Sequence, residues 1–160
     1  MTWLRPAAAA AAACALLNLS AAAACDLVLT EHRSGHELAR LPLDQQTPAA
    51  TVSFTHSVLG TPVVDHYEWQ DGKAHLVEER FEGDGYGLPN AAGSGQTMTR
   101  DGAGWRLHLD RIVDPLVMQP VQGMRVTIAG QAPLLLKSLG SSGSIALRAQ
   151  GCSNHQRDAQ

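Results

Sequence analysis

Residues 63–81 read VVDHYEWQDGKAHLVEERF, and this stretch carries the strongest structural signal in the chain. Two runs with several β-branched and aromatic residues, 63–70 and 73–81, flank the dipeptide Asp71-Gly72. An Asp-Gly pair between two strand-like runs favours a two-residue hairpin turn, because both positions accept a positive φ. The sequence therefore predicts an antiparallel β-hairpin over these residues.

Short strand-like runs separated by turn residues continue on both sides of this hairpin. Residues 51–58 alternate strictly, as expected of a half-buried strand, and one face carries Val52, Phe54, His56 and Val58. Further predicted strands cover residues 26–31, 36–43, 97–100, 105–109, 125–128, 134–137 and 145–149. Such regular spacing is typical of sandwiches and barrels. We expect an all-β protein, an antiparallel β-sandwich or barrel-like single domain that follows an N-terminal signal peptide.

The first 24 residues have the composition of a secretory signal peptide. Arg5 precedes an apolar, alanine-rich run over residues 7–19, and small residues follow at 21–24. A basic start, a short apolar core and an A-x-A end are the features of a cleaved signal, whereas a transmembrane anchor needs about 20 strongly apolar residues. We predict a signal peptide over 1–24, a β domain over 25–152 and a polar tail over 153–160, with the mature chain in the periplasm.

The charge of the chain excludes one class of partner. Residues 1–24 contain Arg5 and no acidic residue, so their removal changes the formal net charge from −3 to −4. No cluster of lysine and arginine occurs, and nucleic-acid binding depends on such clusters. Nucleic acid is therefore not expected as a partner. After the signal region no apolar stretch is long enough to span a bilayer, so no transmembrane segment is expected in the mature chain.

Two cysteines, Cys25 and Cys152, lie at opposite ends of the predicted mature chain. In one interpretation they form a disulfide in an oxidising compartment. In the other, residues 22–25 act as a lipobox and Cys25 carries a lipid anchor, although Ala22 stands where a bulky aliphatic residue is usual. The disulfide is favoured, because an unpaired Cys152 is unusual in an exported protein.

Residues 82–96, here called the glycine segment, interrupt the strand pattern. They contain Gly83, Gly85, Gly87, Pro89, Gly93 and Gly95. This density excludes a helix or a regular strand, and a phosphate cradle would need a helix after the glycines. Long loops in compact domains are often functional. The glycine segment is therefore the expected contact surface.

The polar residues suggest neither a metal centre nor an active site. Seven histidines are present, at His32, His36, His56, His66, His75, His108 and His155. No H-E-x-x-H or paired C-x-x-C spacing makes them converge on one ion, so we predict no metal ligand. A triad of His56, Ser57 and Asp65 is unexpected, since adjacent strand residues point to opposite faces. Because no nucleophile, base and orienting group fit together, we predict no catalytic residue, no cofactor and no enzymatic activity.

Three pieces of the chain together resemble the signature of the domain-of-unknown-function family 1850. They are Phe54-Thr55-His56-Ser57-Val58, Thr61-Pro62-Val63 and Gly85-Tyr86-Gly87-Leu88-Pro89. The family pattern has His-Ser-Val, then Pro-Val and an acid, then an aromatic residue and a Gly-Ala-Gly-Leu-Pro-like segment. Here Val64 takes the place of the usual Glu, and Asp65 supplies the acid one position later. Tyr67 fits the aromatic position, and Tyr86 replaces the small middle residue.

What this resemblance implies is an accessory role. By position it assigns a patch to His56, Ser57, Pro62, Asp65, Gly85, Gly87, Leu88 and Pro89. Members of the family look like small exported proteins that are often encoded beside components of tripartite ATP-independent periplasmic (TRAP) transporters, which implies a non-catalytic accessory role at such a transporter. The alternative hypothesis is a small-ligand-binding or metal-binding periplasmic protein. In either case we expect His56 and Asp65 beside the glycine segment, as a hydrogen-bonded pair or around a ligand.

Overall fold

The structure is a computed structural model that describes residues 24–152. The predicted signal peptide, apart from Ala24, and the predicted tail over 153–160 lie outside these residues. The strands are β1 (Asp26–Glu31), β2 (Glu37–Pro42), β3 (Ala49–Thr55), β4 (Pro62–Gln70), β5 (Lys73–Phe81), β6 (Thr97–Asp101), β7 (Gly104–Val113), β8 (Leu116–Met118), β9 (Arg125–Thr127), β10 (Leu134–Leu135) and β11 (Ile145–Gln150). A 3₁₀ helix covers Leu136–Leu139.

The strands form two antiparallel sheets. The smaller sheet has the order β2-β1-β11-β8, and the larger sheet has the order β10-β9-β3-β4-β5-β7-β6. The expected all-β single domain is confirmed, and it is a sandwich because neither sheet closes into a barrel. Within residues 24–152, no helix has the length and apolarity of a membrane-spanning segment.

The predicted hairpin is confirmed as β4 and β5. Gln70 pairs with Lys73 across the turn, and both Asp71 (φ 50°) and Gly72 (φ 76°) have left-handed backbone. Two successive positive φ values make the primed turn that matches the right-handed twist of adjoining strands. Along β4, buried and more exposed residues alternate, so every second side chain faces the core.

The core lies between the two sheets. The smaller sheet contributes side chains that are at most 1% exposed, namely Leu27, Leu29, Ile145 and Leu147. The larger sheet contributes Val52, Val63, Tyr67, Trp69, Leu76, Phe81 and Leu107. Burying one large apolar side chain is worth about 1.5–3 kcal/mol. Packing between the sheets therefore holds the domain together and fixes the strand ends from which the loops emerge.

The two ends of the described chain meet in the smaller sheet. β1 pairs with β11, and Asp26 lies opposite Gln150, which places Cys25 and Cys152 just beyond the same end of this pair. Their sulfur atoms are bonded at 2.04 Å, with the Cα atoms 4.3 Å apart. The predicted disulfide is confirmed, and it joins residues 127 positions apart.

The boundary of β3 differs from the prediction in a way that matters for the site. The strand ends at Thr55 rather than at residue 58, because the chain turns immediately afterwards. Val58 continues the apolar alternation of the sequence, yet its side chain is 61% exposed. Alternation alone cannot distinguish a buried valine from one displayed on a turn.

The larger of the other differences lie in the second half of the chain. The strand predicted over 105–109 extends to Val113, because β7 pairs with β5 along most of its length. Residues 134–137 form only the two-residue β10 before the 3₁₀ helix begins. The sequence patterns do not predict β8, whose three residues pair with β11 at the edge of the smaller sheet.

Candidate functional site

The short turn between β3 and β4 is organised by the His56 side chain. Its Nδ1 accepts hydrogen bonds from the N–H groups of Val58 (3.3 Å) and Leu59 (3.2 Å). Backbone bonds close the same turn, since Gly60 N–H donates to the His56 carbonyl at 2.9 Å and His56 N–H donates to the Thr61 carbonyl at 2.8 Å. Because Nδ1 acts as an acceptor, this hydrogen-bond network assigns the hydrogen of the neutral ring to Nε2.

The same imidazole connects this turn to the glycine segment. His56 Nε2 lies 3.2 Å from the Tyr86 carbonyl oxygen, to which the assigned tautomer donates. A second bond runs from Thr61 Oγ1 to the Glu82 carbonyl at 2.8 Å. Two side-chain hydrogen bonds thus join residues 56–61 to residues 82–89, and we call these two segments together the His56 corner.

Tyr86 lies at the tip of the His56 corner in a backbone conformation that is unfavourable for an aromatic residue. Its φ is +53°, between Gly85 at +74° and Gly87 at +96°. The tip is closed by Leu88 N–H, which donates to the Gly85 carbonyl at 3.0 Å. Left-handed backbone costs a residue with a Cβ about 1–2 kcal/mol, and such costs are concentrated at functional positions.

Tyr86 and Val58 are the two most exposed large hydrophobic residues in the described chain, at 73% and 61%. One His56 ring binds both backbones, Val58 through Nδ1 and Tyr86 through Nε2. Leu88 and Pro89, next in the loop, are half-buried. Exposed apolar side chains on a fixed support are typical of protein-binding surfaces. We call Val58, Tyr86, Leu88 and Pro89 the docking surface.

Most of the patch that the family resemblance assigns lies at this corner. His56 and Ser57 are in the turn, Pro62 begins β4, and the loop carries Gly85, Gly87, Leu88 and Pro89. Asp65 is the exception, because it lies opposite Val52 in the middle of the β3–β4 pair. His56 lies four positions after Val52, a distance of about 13 Å along a strand.

The expected hydrogen bond between His56 and Asp65 does not form. Both ring nitrogens of His56 are bound to backbone groups. Asp65 Oδ2 instead accepts a long hydrogen bond, 3.5 Å, from Tyr67 Oη. The expectation is wrong because β3 ends before His56, whose ring then folds back over its own turn instead of lying beside β4.

Asp65 is buried on the inner face of the larger sheet, with 9% of its surface exposed. The register places Glu79 of β5 opposite it. Burial first, and then the negative charge of Glu79, raise the pKa of the Asp65 carboxyl to about 7. Burial also raises the pKa of Glu79, although Arg111 acts in the opposite direction. The inner face thus carries two neighbouring acids away from the His56 corner.

The other described histidines are spread over the molecule. Three of them contact a side chain on a neighbouring strand, as the pairs His66–Thr51 (3.2 Å), His75–Asp110 (2.7 Å) and His108–Glu78 (3.5 Å). In the part of the chain that the structure describes, no three His, Cys, Asp or Glu side chains are grouped so as to hold a metal ion. His155 lies outside that part.

A cleft of about 800 Å³ opens at the end of β4 opposite the His56 corner. Its walls come from residues 42–49, from the last residues of β4 and from residues 128–131. Leu43 and Trp69 contribute apolar surface, while the Asp44 carboxylate accepts hydrogen bonds from the N–H groups of Gln46 (2.8 Å) and Thr47 (2.7 Å). Asp44 therefore stabilises its own loop, and none of the patch residues lines the cleft.

The patch that the resemblance assigns leaves out Val58 and Tyr86, whose exposed side chains belong to the docking surface. Tyr86 does lie in the glycine segment, which the sequence predicts as the contact surface, but no pattern singles out its side chain. Val58 fits the alternation of a strand, and Tyr86 looks like a simple replacement in a glycine-rich motif. The available signal is the pair of glycines around Tyr86, since Gly-X-Gly permits a left-handed path on both sides of the middle residue. The exposure of Val58 has no comparable local signal.

The fold and the His56 corner together define a small β-sandwich protein that is closed by a disulfide. It holds a constrained loop beside the turn between β3 and β4. The model of a family described as a domain of unknown function, DUF1850, matches residues 50–133, which is more than half of the chain. The protein belongs to this family, as its motifs predict. The match runs from within β3 to the residue before β10 and includes the whole His56 corner. No curated protein and no solved structure gives a significant match.

Proposed function

We propose that this protein is an exported, non-catalytic interaction module that assists a TRAP-type solute transporter in the periplasm, with the docking surface as its contact site. The observation that carries the proposal is the constrained display of Tyr86. Its backbone is left-handed, its side chain is 73% exposed, and its carbonyl is held by His56. Since this ring contributes little to the core, the cost of its conformation points to a role outside the fold.

The bonding of His56 supports a non-catalytic role. A histidine that acts as a general base needs a free nitrogen within reach of the group it deprotonates. Here Nδ1 accepts from two backbone N–H groups and Nε2 contacts the Tyr86 carbonyl. Neither nitrogen is available to activate Ser57, so the ring acts as a structural link between two loops.

The disulfide supports export, because such bonds persist in oxidising compartments. Cys25 Sγ is bonded to Cys152 Sγ, so the sulfur that a lipid anchor would use is occupied, and we propose an unlipidated periplasmic form. Intact-mass measurement of the protein recovered from cells tests this step. We expect a chain that begins at Cys25, carries no acyl group and gains about 2 Da on reduction, from two thiol hydrogens. An acylated Cys25 would contradict the proposal.

Recovery of transporter subunits tests the docking surface. The tagged wild type is crosslinked mildly in cells and purified beside the double variant Val58→Ser/Tyr86→Ser. The matched control is Ile112→Ser, which removes another exposed hydrophobic residue, on β7 (57% exposed). We expect the double variant to recover about tenfold less transporter subunit, as for the loss of about 1.4 kcal/mol of binding free energy, and the control to equal wild type.

Two results of this experiment would count against the proposal. If all three proteins recover the same amount of transporter subunit, the docking surface is not the contact site. If the wild type recovers no transporter subunit at all, the accessory role itself is wrong.

A small-ligand-binding role is the second candidate function, and the cleft beside Trp69 favours it. Its volume of about 800 Å³ lies within the range of small-molecule sites, about 300–1,000 Å³. A thermal-shift screen with organic acids and sugars tests this candidate. A ligand that fits should raise the melting temperature, and the shift should grow with the logarithm of the ligand concentration once that concentration exceeds the dissociation constant. The absence of any shift across the screen would remove the candidate.

A further inference from the structure

The buried carboxyl of Asp65 has no part in the docking surface and needs its own explanation. Its side chain shares the inner face of β4 with Val63, Tyr67 and Trp69. Buried polar atoms are nearly always hydrogen-bonded. Oδ2 of Asp65 has the long bond from Tyr67 Oη, whereas among the described residues Oδ1 has no hydrogen-bond partner. A charged carboxylate is poorly accommodated in this position.

The groups around Asp65 favour its neutral form. The neighbouring strands place Val52 of β3 and Glu79 of β5 opposite it, and the inward-facing residues of the smaller sheet are aliphatic. Among the described residues, the one cation that acts on Asp65 is Arg111 of β7. Its side chain is 60% exposed, and Nη2 lies 4.0 Å from Glu79 Oε1, so its charge is screened by solvent and partly neutralised by Glu79.

We propose that Asp65 is a proton-holding acid that makes the β4–β5 hairpin sensitive to pH. The folded protein keeps a proton on this carboxyl close to neutral pH, which allows two acids to face each other across the strands. When the proton leaves, a buried charge with an unpaired oxygen faces Glu79, and the pairing of β4 with β5 weakens.

The direction of the effect follows from the pKa of this carboxyl in the two states. In the folded chain, burial and Glu79 raise it from 3.8 to about 7. The folded state therefore holds this proton more tightly than the unfolded state. The proton's contribution to the free energy of unfolding is complete below about pH 4. That contribution is lost as the pH rises through about 7, so the free energy of unfolding falls across this range.

The weakening is expected to be local, because a β-bulge lies beside the two acids. The register of β4 and β5 shifts between His66 and Tyr67, where Val77 has no counterpart. A bulge interrupts the ladder of hydrogen bonds. This part of the hairpin therefore has fewer inter-strand hydrogen bonds to oppose the repulsion between the Asp65 and Glu79 carboxylates. The effect of pH is confined to the hairpin and does not depend on any partner at the docking surface.

Urea unfolding followed by tryptophan fluorescence between about pH 4 and pH 8 tests the proposal. The disulfide-intact wild type is compared with Asp65→Asn and with Asp84→Asn, which removes an exposed carboxylate of the glycine segment. We expect the unfolding constant of wild type to rise with pH by up to about 1,000-fold more than that of Asp65→Asn. Asp84→Asn should follow wild type. Parallel curves for wild type and Asp65→Asn would overturn the proposal.

A measurement on the wild type alone keeps the proposal testable if Asp65→Asn does not fold. The chemical shift of the Asp65 carboxyl carbon, followed by NMR against pH, reports the proton directly. We expect a midpoint near 7. A midpoint below about 5, in the range of ordinary surface carboxylates, would show that the proposal is wrong whatever the partner-binding experiments give.

Discussion

Two loops of the described chain hold a non-glycine residue in left-handed backbone, and they do so for different reasons. At the hairpin tip, Asp71 (φ 50°) precedes Gly72 in a two-residue turn that requires positive φ at both positions. At the His56 corner, Tyr86 (φ 53°) lies in an irregular loop. Asp is enriched in this conformation, whereas it is unusual for a bulky residue. The hairpin tip is explained by the fold, and the corner by the binding role that we propose.

The interactions that hold these two loops differ in how far apart along the chain the interacting residues lie. The hairpin tip depends on Gln70 and Lys73, which pair directly across it. The corner depends on a His56 ring that holds a carbonyl 30 residues later in the chain. A loop held by a distant side chain can be released without unfolding the strands.

The largest effect is expected from Gly104→Ala, which disturbs the strands beneath the corner. Gly104 begins β7, and a Cβ there would collide with the Phe81 carbonyl oxygen at the end of β5. We expect the free energy of unfolding in urea to fall by about 2–3 kcal/mol, the upper part of the usual range of about 1–3 kcal/mol for overpacking, because the collision is with a backbone atom. Gly143→Ala is the matched control, because nothing lies within 4 Å of the added atom. Equal losses in both variants would show that β5 and β7 do not approach so closely.

Gly72→Ala tests whether the hairpin turn requires left-handed backbone at position 72. The substitution puts a Cβ in left-handed backbone (φ 76°), which costs about 1–2 kcal/mol. Gly72→Asn should lose less, since Asn tolerates this conformation. Urea unfolding of both variants measures the difference. If Ala and Asn are equally tolerated, the turn has another conformation in solution.

His56→Asn separates the two roles of the imidazole. The Asn side-chain oxygen replaces Nδ1 as the acceptor for the Val58 N–H, but it cannot reach the Tyr86 carbonyl. Losing that bond should cost about 1 kcal/mol. Hydrogen exchange of the Leu88 amide, which closes the loop tip, should accelerate while the hairpin amides keep their protection. Unchanged exchange at Leu88 would show that His56 does not hold the loop.

The smallest effect on stability is expected from Tyr86→Gly. Glycine removes the left-handed strain of about 1–2 kcal/mol but adds backbone entropy to the unfolded chain, worth about 0.5–1 kcal/mol. The free energy of unfolding should therefore stay level or rise slightly, while recovery of the partner falls. Tyr86→Ala, which keeps the strain and loses the ring, is the control. A marked loss of stability in the glycine variant would assign Tyr86 to the fold.

The same difference between local and long-range interactions explains which features the sequence could predict. β1 and β5 have the predicted bounds, because turn residues lie on both sides of β5 and follow the end of β1. The disulfide follows from two cysteines at the ends of a predicted exported chain. The exposed position of Val58 and the length of β7 could not be predicted from the sequence, because both depend on strands that are distant along the chain. The neighbours of Asp65 depend on a pairing register that bulges alter, so Glu79 and Arg111 could not be assigned to it.

Photo-crosslinking in intact cells reports which surface of the protein touches the transporter. A photoreactive amino acid is placed at position 86, in the docking surface, or at position 112 on β7, the exposed control site. We expect an adduct with a membrane-embedded transporter subunit from position 86 and none from position 112. No adduct at position 86, or equal adducts at both positions, would contradict the proposed contact site.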